Sequence, residues 1–343
     1  MLPIKKKQNG KKLGKVISFR RSKLSRKRKG LFSSFRKKKK RRRLHVAPLR
    51  QLMPIETVTV YDQGYNAGYD RGFDKGYRDG KHDGGDAIVD RLLPDYQILP
   101  EITIEQIVAA GVEHLRPHIH HLLTARDLGD QIIAALDARA PFSLVRLGDG
   151  ELLTLAQETI LPIEQIKQDG PFLPYAGVDV PDLEIKAELV QAIRGASVVG
   201  IPKLRVRNFQ PLAFAVFKAE HINYHELTLT DSLVNYYIYH EGYLSRITQG
   251  RRVLLVGNLA PHLAEVLRGH GVNIVGEITP VHGVKDIPHI KENIAGYDFD
   301  IALVSAGISA VIISEWIASS MGKVAIDFGH LADSIVKGEA PYR

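Results

Sequence analysis

The 343-residue chain contains no cysteine. That removes a disulfide framework, a thiolate metal site and a cysteine nucleophile from consideration, and it fits a reducing compartment. No apolar run approaches the ~18 residues that a membrane span needs. The basic N-terminus is not followed by an apolar stretch of ~7–15 residues, so it does not read as a secretory signal. Acidic residues are missing altogether from residues 1–50, which hold 22 of the 47 Lys and Arg side chains. The other 293 residues therefore carry 25 basic and 38 acidic side chains, a balance of −13. The net charge of +9 averages a basic tail and an acidic body.

Four regions follow from composition and periodicity. Residues 1–50 are a polybasic tail whose charge blocks, Arg26–Lys29 and Arg36–Arg43, repel themselves and stay disordered until they meet a polyanion. Residues 51–100 are a linker holding a short repeat. Gly64, Gly68, Gly72, Gly76 and Gly80 recur every four residues, each of the first four followed by an aromatic: Tyr65, Tyr69, Phe73 and Tyr77. On a helix these would form a glycine stripe beside an aromatic stripe, each drifting about 40° per step. Each interior glycine costs ~1 kcal/mol against alanine, and aromatic neighbours at i,i+4 return only ~0.2–0.5 kcal/mol. The segment is therefore expected to be flexible, or to be a helix with a partner, including self-association through residues 61–84. Residues 101–139 read as a helical lead-in, with Thr103 and Gln106 at cap-like spacing. His114, His118, His120 and His121 lack a His-Glu-x-x-His pattern and read as a surface helix rather than a metal site.

From 140 to 343, apolar runs alternate with helical segments. Strands are expected at Ser143–Arg146, Ala196–Ile201, Leu227–Leu229, Arg252–Val256, Asn273–Val275, Ile301–Val304 and Lys323–Ile326. A helix is expected at Asp231–Leu244. The pattern predicts an α/β fold: a Rossmann-like, mostly parallel sheet with helices on both faces. Ligands of such sheets bind beyond the carboxyl ends of the strands, so the residues just after each strand are the ones to read.

After the first strand comes Arg146-Leu147-Gly148-Asp149-Gly150-Glu151. Two carboxylates at i and i+2 on a glycine-rich turn can converge on a hard cation such as Mg²⁺ or Mn²⁺. Arg146 offers a planar fork for phosphate or carboxylate, and Gly148 and Gly150 allow close backbone approach. The same residues could equally form a plain capped helix start. Gly257-Asn258-Leu259-Ala260-Pro261 follows the Arg252 strand; it could present backbone N–H groups to an anion, or be an ordinary strand–helix turn. It is not Gly-x-Gly-x-x-Gly, which argues against a dinucleotide fingerprint and leaves a methyltransferase-like reading a distant rival. Ser305-Ala306-Gly307-Ile308-Ser309 is again small and turn-like, without a nucleophile elbow. Asp327-Phe328-Gly329-His330 closes the last strand, with Asp327 suited to a polar or metal contact and His330 to a phosphate or proton-transfer contact.

Two of these segments, Ser143–Glu151 and Gly322–His330, together with Val304-Ser305-Ala306-Gly307, resemble the bacterial GT-D-fold glycosyltransferases over about 140–335. The resemblance implies a GT-D-type sheet and a UDP-sugar donor, typically UDP-glucose. It also implies a divalent cation, Mn²⁺ or Mg²⁺, on an Asp-x-Glu motif, which falls on Asp149 and Glu151. Arg146, Asp327 and His330 then surround the donor. The expected reaction moves a sugar to an acceptor hydroxyl on a glycan or glycoprotein. A general base must reach that hydroxyl, and Asp231, opening a helix after a strand, and Asp327 are the available carboxylates.

The alternative reading is a non-catalytic polyanion-binding or scaffold protein, using residues 5–43 on nucleic acid, a wall polymer or an anionic membrane. Each basic residue near an anionic membrane is worth ~1 kcal/mol. The two readings are compatible and place the protein in the cytoplasm, peripheral at the inner membrane face where the tail meets anionic lipid.

Overall fold

The computed structural model describes residues 56–343, with side chains from Ala67 onward. The polybasic tail therefore lies outside the described residues. The described residues divide into two units, one ending at Ile104 and the other Glu105–Arg343.

In the first unit the Gly/Tyr repeat is helical. A 26-residue helix, Glu56–Lys81, runs through a π-helical turn at His82–Asp86 into a second helix, Ala87–Leu92. Gly85 is buried, and a Cβ there would lie 3.1 Å from Ile104 Cγ2.

The second unit is built on seven strands: β1 (Phe142–Arg146), β2 (Val198–Ile201), β3 (Leu229–Asp231), β4 (Arg252–Gly257), β5 (Asn273–Ile278), β6 (Ile301–Ser305) and β7 (Val324–Asp327). Every pairing is parallel, and the spatial order is β3-β2-β1-β7-β6-β4-β5. The expected α/β sheet with helices on both faces is thus present, as side-chain alternation requires. On β1, Val145 joins one buried cluster and Phe142 and Leu144 the other; on β4, Leu254 and Val256 oppose Val253 and Leu255; on β6, Ala302 and Val304 oppose Ile301 and Leu303. The first cluster is closed by helices that include Leu183–Gly195 and Ser309–Met321, the second by helices that include Ala125–Ala138 and Ala260–Gly269.

Two expectations are corrected, both after β2; the helical lead-in itself is two helices joined by a turn. One helix ends at His114, Pro117 sits in a 3₁₀ turn, and Leu123 then bridges Thr230 at the sheet edge. The following helix, Ala125–Ala138, buries Leu128, Ile132 and Leu136, so the body's core begins ahead of residue 140. The strand expected at Leu227–Leu229 lies two residues later. The helix expected at Asp231–Leu244 is two short helices, Val234–His240 and Tyr243–Thr248. Asp231 ends β3, where its Oδ1 accepts the Leu233 N–H at 2.9 Å, and Gly242 at φ +76° separates the two helices. No helix among the described residues is long and apolar enough to cross a membrane.

Candidate active site at the strand ends

From β1 the chain steps outward to β2 and β3, while β7, β6, β4 and β5 lie on the other side of β1. The switch in direction falls between β1 and β7, where such sheets open a crevice beyond the strand ends. Arg146 ends β1 and Asp327 ends β7.

Arg146 is largely buried and ties this corner together. Its Nε donates to the Asp327 carbonyl (2.9 Å) and its Nη2 to Asp327 Oδ1 (2.8 Å). Its Nη1 donates to the Ser232 carbonyl (3.0 Å) and Asn235 Oδ1 (3.3 Å). Asn235 in turn donates to the Phe328 carbonyl at 2.9 Å. The fork expected to face a ligand is thus engaged inside the protein, joining β1, β7 and the segment after β3. Two glycines make room for it. At Gly200 on β2 a Cβ would lie 3.1 Å from the Arg146 stem, and at Gly329, with φ +54°, one would lie 1.9 Å from Arg146 Nη2.

Asp149 opens the helix Asp149–Leu155 and is exposed, while Glu151 occupies the third helical position. Glu151 Oε2 accepts the Gly148 N–H at 2.8 Å, one half of a capping box. Loss of water around Glu151 pushes its carboxyl up to about 7; the nearby Asp327 carboxylate adds to this, and backbone N–H groups and Arg146 oppose it. Asp327 is buried and also sits above its ordinary value, because burial outweighs the stabilising Arg146. His330 is exposed and precedes a six-residue helix.

The loop after β6 joins this corner. A Cβ on Gly150 would lie 3.3 Å from Ile308. Within that loop the hydroxyls of Ser305 and Ser309 are buried and have no hydrogen-bond partner among the described residues. Gly307 adopts φ +56° with open space around it. The β4 end is more occupied than expected. Gly257 has φ +140°, and a Cβ there would lie 2.3 Å from the Ser305 carbonyl, so glycine permits the β4–β6 approach. Asn258 clamps Val281, donating to its carbonyl (2.9 Å) and accepting its N–H (2.7 Å), so its amide serves the protein. Asp231 lies on the β3 side, its Oδ2 3.9 Å from Lys203 Nζ.

The structure therefore brings together Arg146, Gly148, Asp149, Gly150, Glu151, Asp327, Ser305 and Gly307. It assigns Asn258 and the Arg146 fork to internal bonding. Ser309, Asn235, Gly200 and Gly329 were missed. Ser309 and Gly329 lay inside motifs already singled out, whereas nothing local to Asn235 or Gly200 marks them, because their role is set by a side chain some 50 to 90 residues away in sequence.

Among the described residues, no group of three or more His, Asp or Glu side chains gathers as a metal cage. Asp149 and Glu151 are two oxygen donors on one turn. Mg²⁺-like ions are often held by one or two carboxylates, with phosphate oxygens and water completing the shell. Two carboxylates alone are too few for a self-sufficient ion site.

A family model described as a GT-D fold-like domain matches residues 123–335, more than half of the chain. The chain belongs to this GT-D-like family. The matched span of the GT-D-like domain contains all seven strands and every strand-end residue described above. No curated protein matches. Among solved structures, the chain is similar to a glycosyltransferase of domain of unknown function 1792 from Streptococcus sanguinis. The identity is 16% and the TM-score 0.45, with 65% of this chain and 86% of that one covered. It is also similar to a structure described as domain of unknown function 1792 with a distinct glycosyltransferase fold. There the identity is 16% and the TM-score 0.43, covering 64% and 83% of the two chains.

Proposed function

We propose that the GT-D-like domain is a glycosyltransferase that moves a sugar, glucose in the first instance, from a UDP-sugar to an acceptor hydroxyl on a glycan or glycoprotein. The observation that carries this reading is the Asp149–Glu151 pair on a strand-end turn at the sheet's switch point, backed by the Arg146–Asp327 pair. Asp149 and Glu151 would hold Mn²⁺ or Mg²⁺ against the donor diphosphate, where such an ion offsets the negative charge that grows on the leaving nucleotide. Gly148 allows the donor to approach the backbone, whereas Gly150 lets the helix start pack closely against Ile308. His330, exposed beside this corner, can meet an anionic group. Asp327 is engaged by Arg146, so its task is to hold that side chain. Asp231, at the end of β3 two strands from β1, is the remaining candidate carboxylate for the acceptor's proton.

This reading makes a binding prediction. Saturating UDP-glucose with Mn²⁺ is expected to raise the melting temperature of the full chain. Ligand at 100 times its Kd stabilises by ~2.7 kcal/mol, which for a body of this size is ~5–10 °C. The shift is expected to grow from pH 6 to pH 8, because Glu151 must lose its proton, held up to about 7, before it can bind a cation. A screen in which no UDP-, GDP- or dTDP-sugar shifts the melting point with either metal would rule the assignment out.

A tethering role for the basic tail accompanies this reading, motivated by 22 Lys and Arg with no acid in residues 1–50. Full-length protein is expected to bind anionic vesicles or heparin with an affinity that falls steeply with salt. A chain lacking residues 1–50 should lose that binding while keeping its UDP-sugar response. Equal polyanion affinity of the two chains would remove the tail from the account.

A further inference from the structure

We propose that the helix Glu56–Lys81 is a self-association element, and that its partner is the same helix of a second copy of this chain. The inference is independent of the sugar-transfer reading. Tyr69, Phe73 and Tyr77 form one continuous row. Their rings stack at 6.5 and 6.4 Å, and each is 62–64% exposed. Beside them Gly68, Gly72, Gly76 and Gly80 form a second row, where an added Cβ would meet nothing within 4 Å. The helix therefore shows a line of large apolar rings and a line of shallow notches, and no described residue fills either.

The two rows match each other. A four-residue step on a helix advances ~6 Å and turns ~40° past a full revolution. The glycine notches thus recur at nearly the spacing of the rings, with the same drift around the axis. Because both rows drift the same way, a ring row from one copy can follow the notch row of the other as the two helices coil around each other. A foreign partner would have to reproduce both spacing and drift, whereas a second copy has them by construction.

Charge points the same way. From Gly68 to Gly80 the helix carries Asp70, Asp74 and Asp79 against Arg71, Lys75 and Arg78, so copies meet without net repulsion. The basic tail could not pair with itself in this way. The area points the same way. Aromatic side chains bury ~150–250 Å² each; with 62–64% of each still exposed, six rings from two helices can lose about 550–950 Å², and the glycine rows they cover bring the total toward the ~1,000 Å² expected of a specific interface.

The test uses the full chain at high salt, which screens the tail, with mass followed by light scattering and sedimentation across the micromolar range. Wild-type protein is expected to associate reversibly. Gly72→Leu/Gly76→Leu fills the notches and Phe73→Ser breaks the ring row. Each should weaken association about tenfold or more, a change of ~1.4 kcal/mol. Leucine is a better helix former than glycine, so helicity by circular dichroism should hold or rise in the notch variant, which separates a lost interface from a lost helix. Three results would overturn the proposal: a wild-type chain that stays monomeric, association unchanged in the notch variant, or association that survives both variants and disappears only when residues 1–50 are removed.

Discussion

Replacing Asp149 and Glu151 together by alanine is expected to lower kcat/KM for metal-dependent sugar transfer from UDP-glucose by about 10²–10³-fold or more. That is the range for losing a preorganised charge-stabilising element. The expectation rests on position. Asp149 is exposed at the first position of its helix, and Glu151 lies two residues on, at the switch between β1 and β7. The single variants should differ in kind. Glu151→Ala also removes the acceptor for the Gly148 N–H, at ~1 kcal/mol of stability. Glu151→Gln keeps that acceptor and removes the titrating charge. Folded Glu151 holds its proton up to about 7, above the ordinary 4.5. The folded protein therefore binds more protons than the unfolded chain between those values, and this group makes the fold less stable as pH rises through that window. Glu151→Gln should accordingly be as stable as wild type near pH 4.5, and more stable by ~1–3 kcal/mol near pH 8, yet nearly inactive. Steady-state kinetics alongside chemical unfolding at two pH values would check both halves. Full activity in the double alanine variant would end the case for this turn as the site.

The largest stability effect is expected at Arg146. Arg146→Met removes every bond it makes to Asp327, Ser232 and Asn235 and leaves the buried Asp327 carboxyl without its counter-charge. Breaking a buried pair from one side costs ~3–5 kcal/mol. The sign with pH can be stated. Asp327 already sits above 3.8 because of burial, and losing Arg146 raises it further. The folded variant then holds a proton that the unfolded chain gives up, so its deficit grows as pH rises above about 4. In Arg146→Met/Asp327→Asn neither member of the pair carries a charge, and the deficit at pH 8 should shrink well below that of the single variant, leaving only the part that comes from Glu151 losing Arg146. Urea unfolding of the three proteins at pH 6 and pH 8 measures this. A single variant no less stable at pH 8 than at pH 6 would contradict the account.

Much of the strand-end geometry is readable in the sequence, and the reasons are local. The runs Arg252–Val256 and Ile301–Val304 are short, β-branched and bounded by turn residues, so their strands emerge within one or two positions. Arg146–Glu151 and Asp327–His330 stand out because charged residues and glycines sit directly after apolar strands. Function within those motifs is less legible. Arg146 reads as a ligand fork, but a guanidinium placed beside backbone carbonyls and a buried aspartate binds those first. Asn258 reads as a free amide, yet the turn at Val281, 23 residues away, takes both ends of it. The segment after β3 fails for a third reason: the apolar run Val234–Leu244 has helical period, but Gly242 and the Asp231 side chain interrupt it at points that pattern alone does not weigh.

β7, the last strand of the sheet, lies near its middle, hydrogen-bonded between β1 and β6. During synthesis, β1 and β6 have no neighbour on those edges until residues 324–327 emerge, and Arg146 has no Asp327 to hold. The polybasic tail is made before the body. At ~5–20 residues per second, roughly 15–60 s pass between completion of that tail and completion of the strand-end corner. Under the proposed tethering role, the tail is complete and able to meet an anionic surface well before the strand-end corner exists, so placement would precede sugar transfer in time.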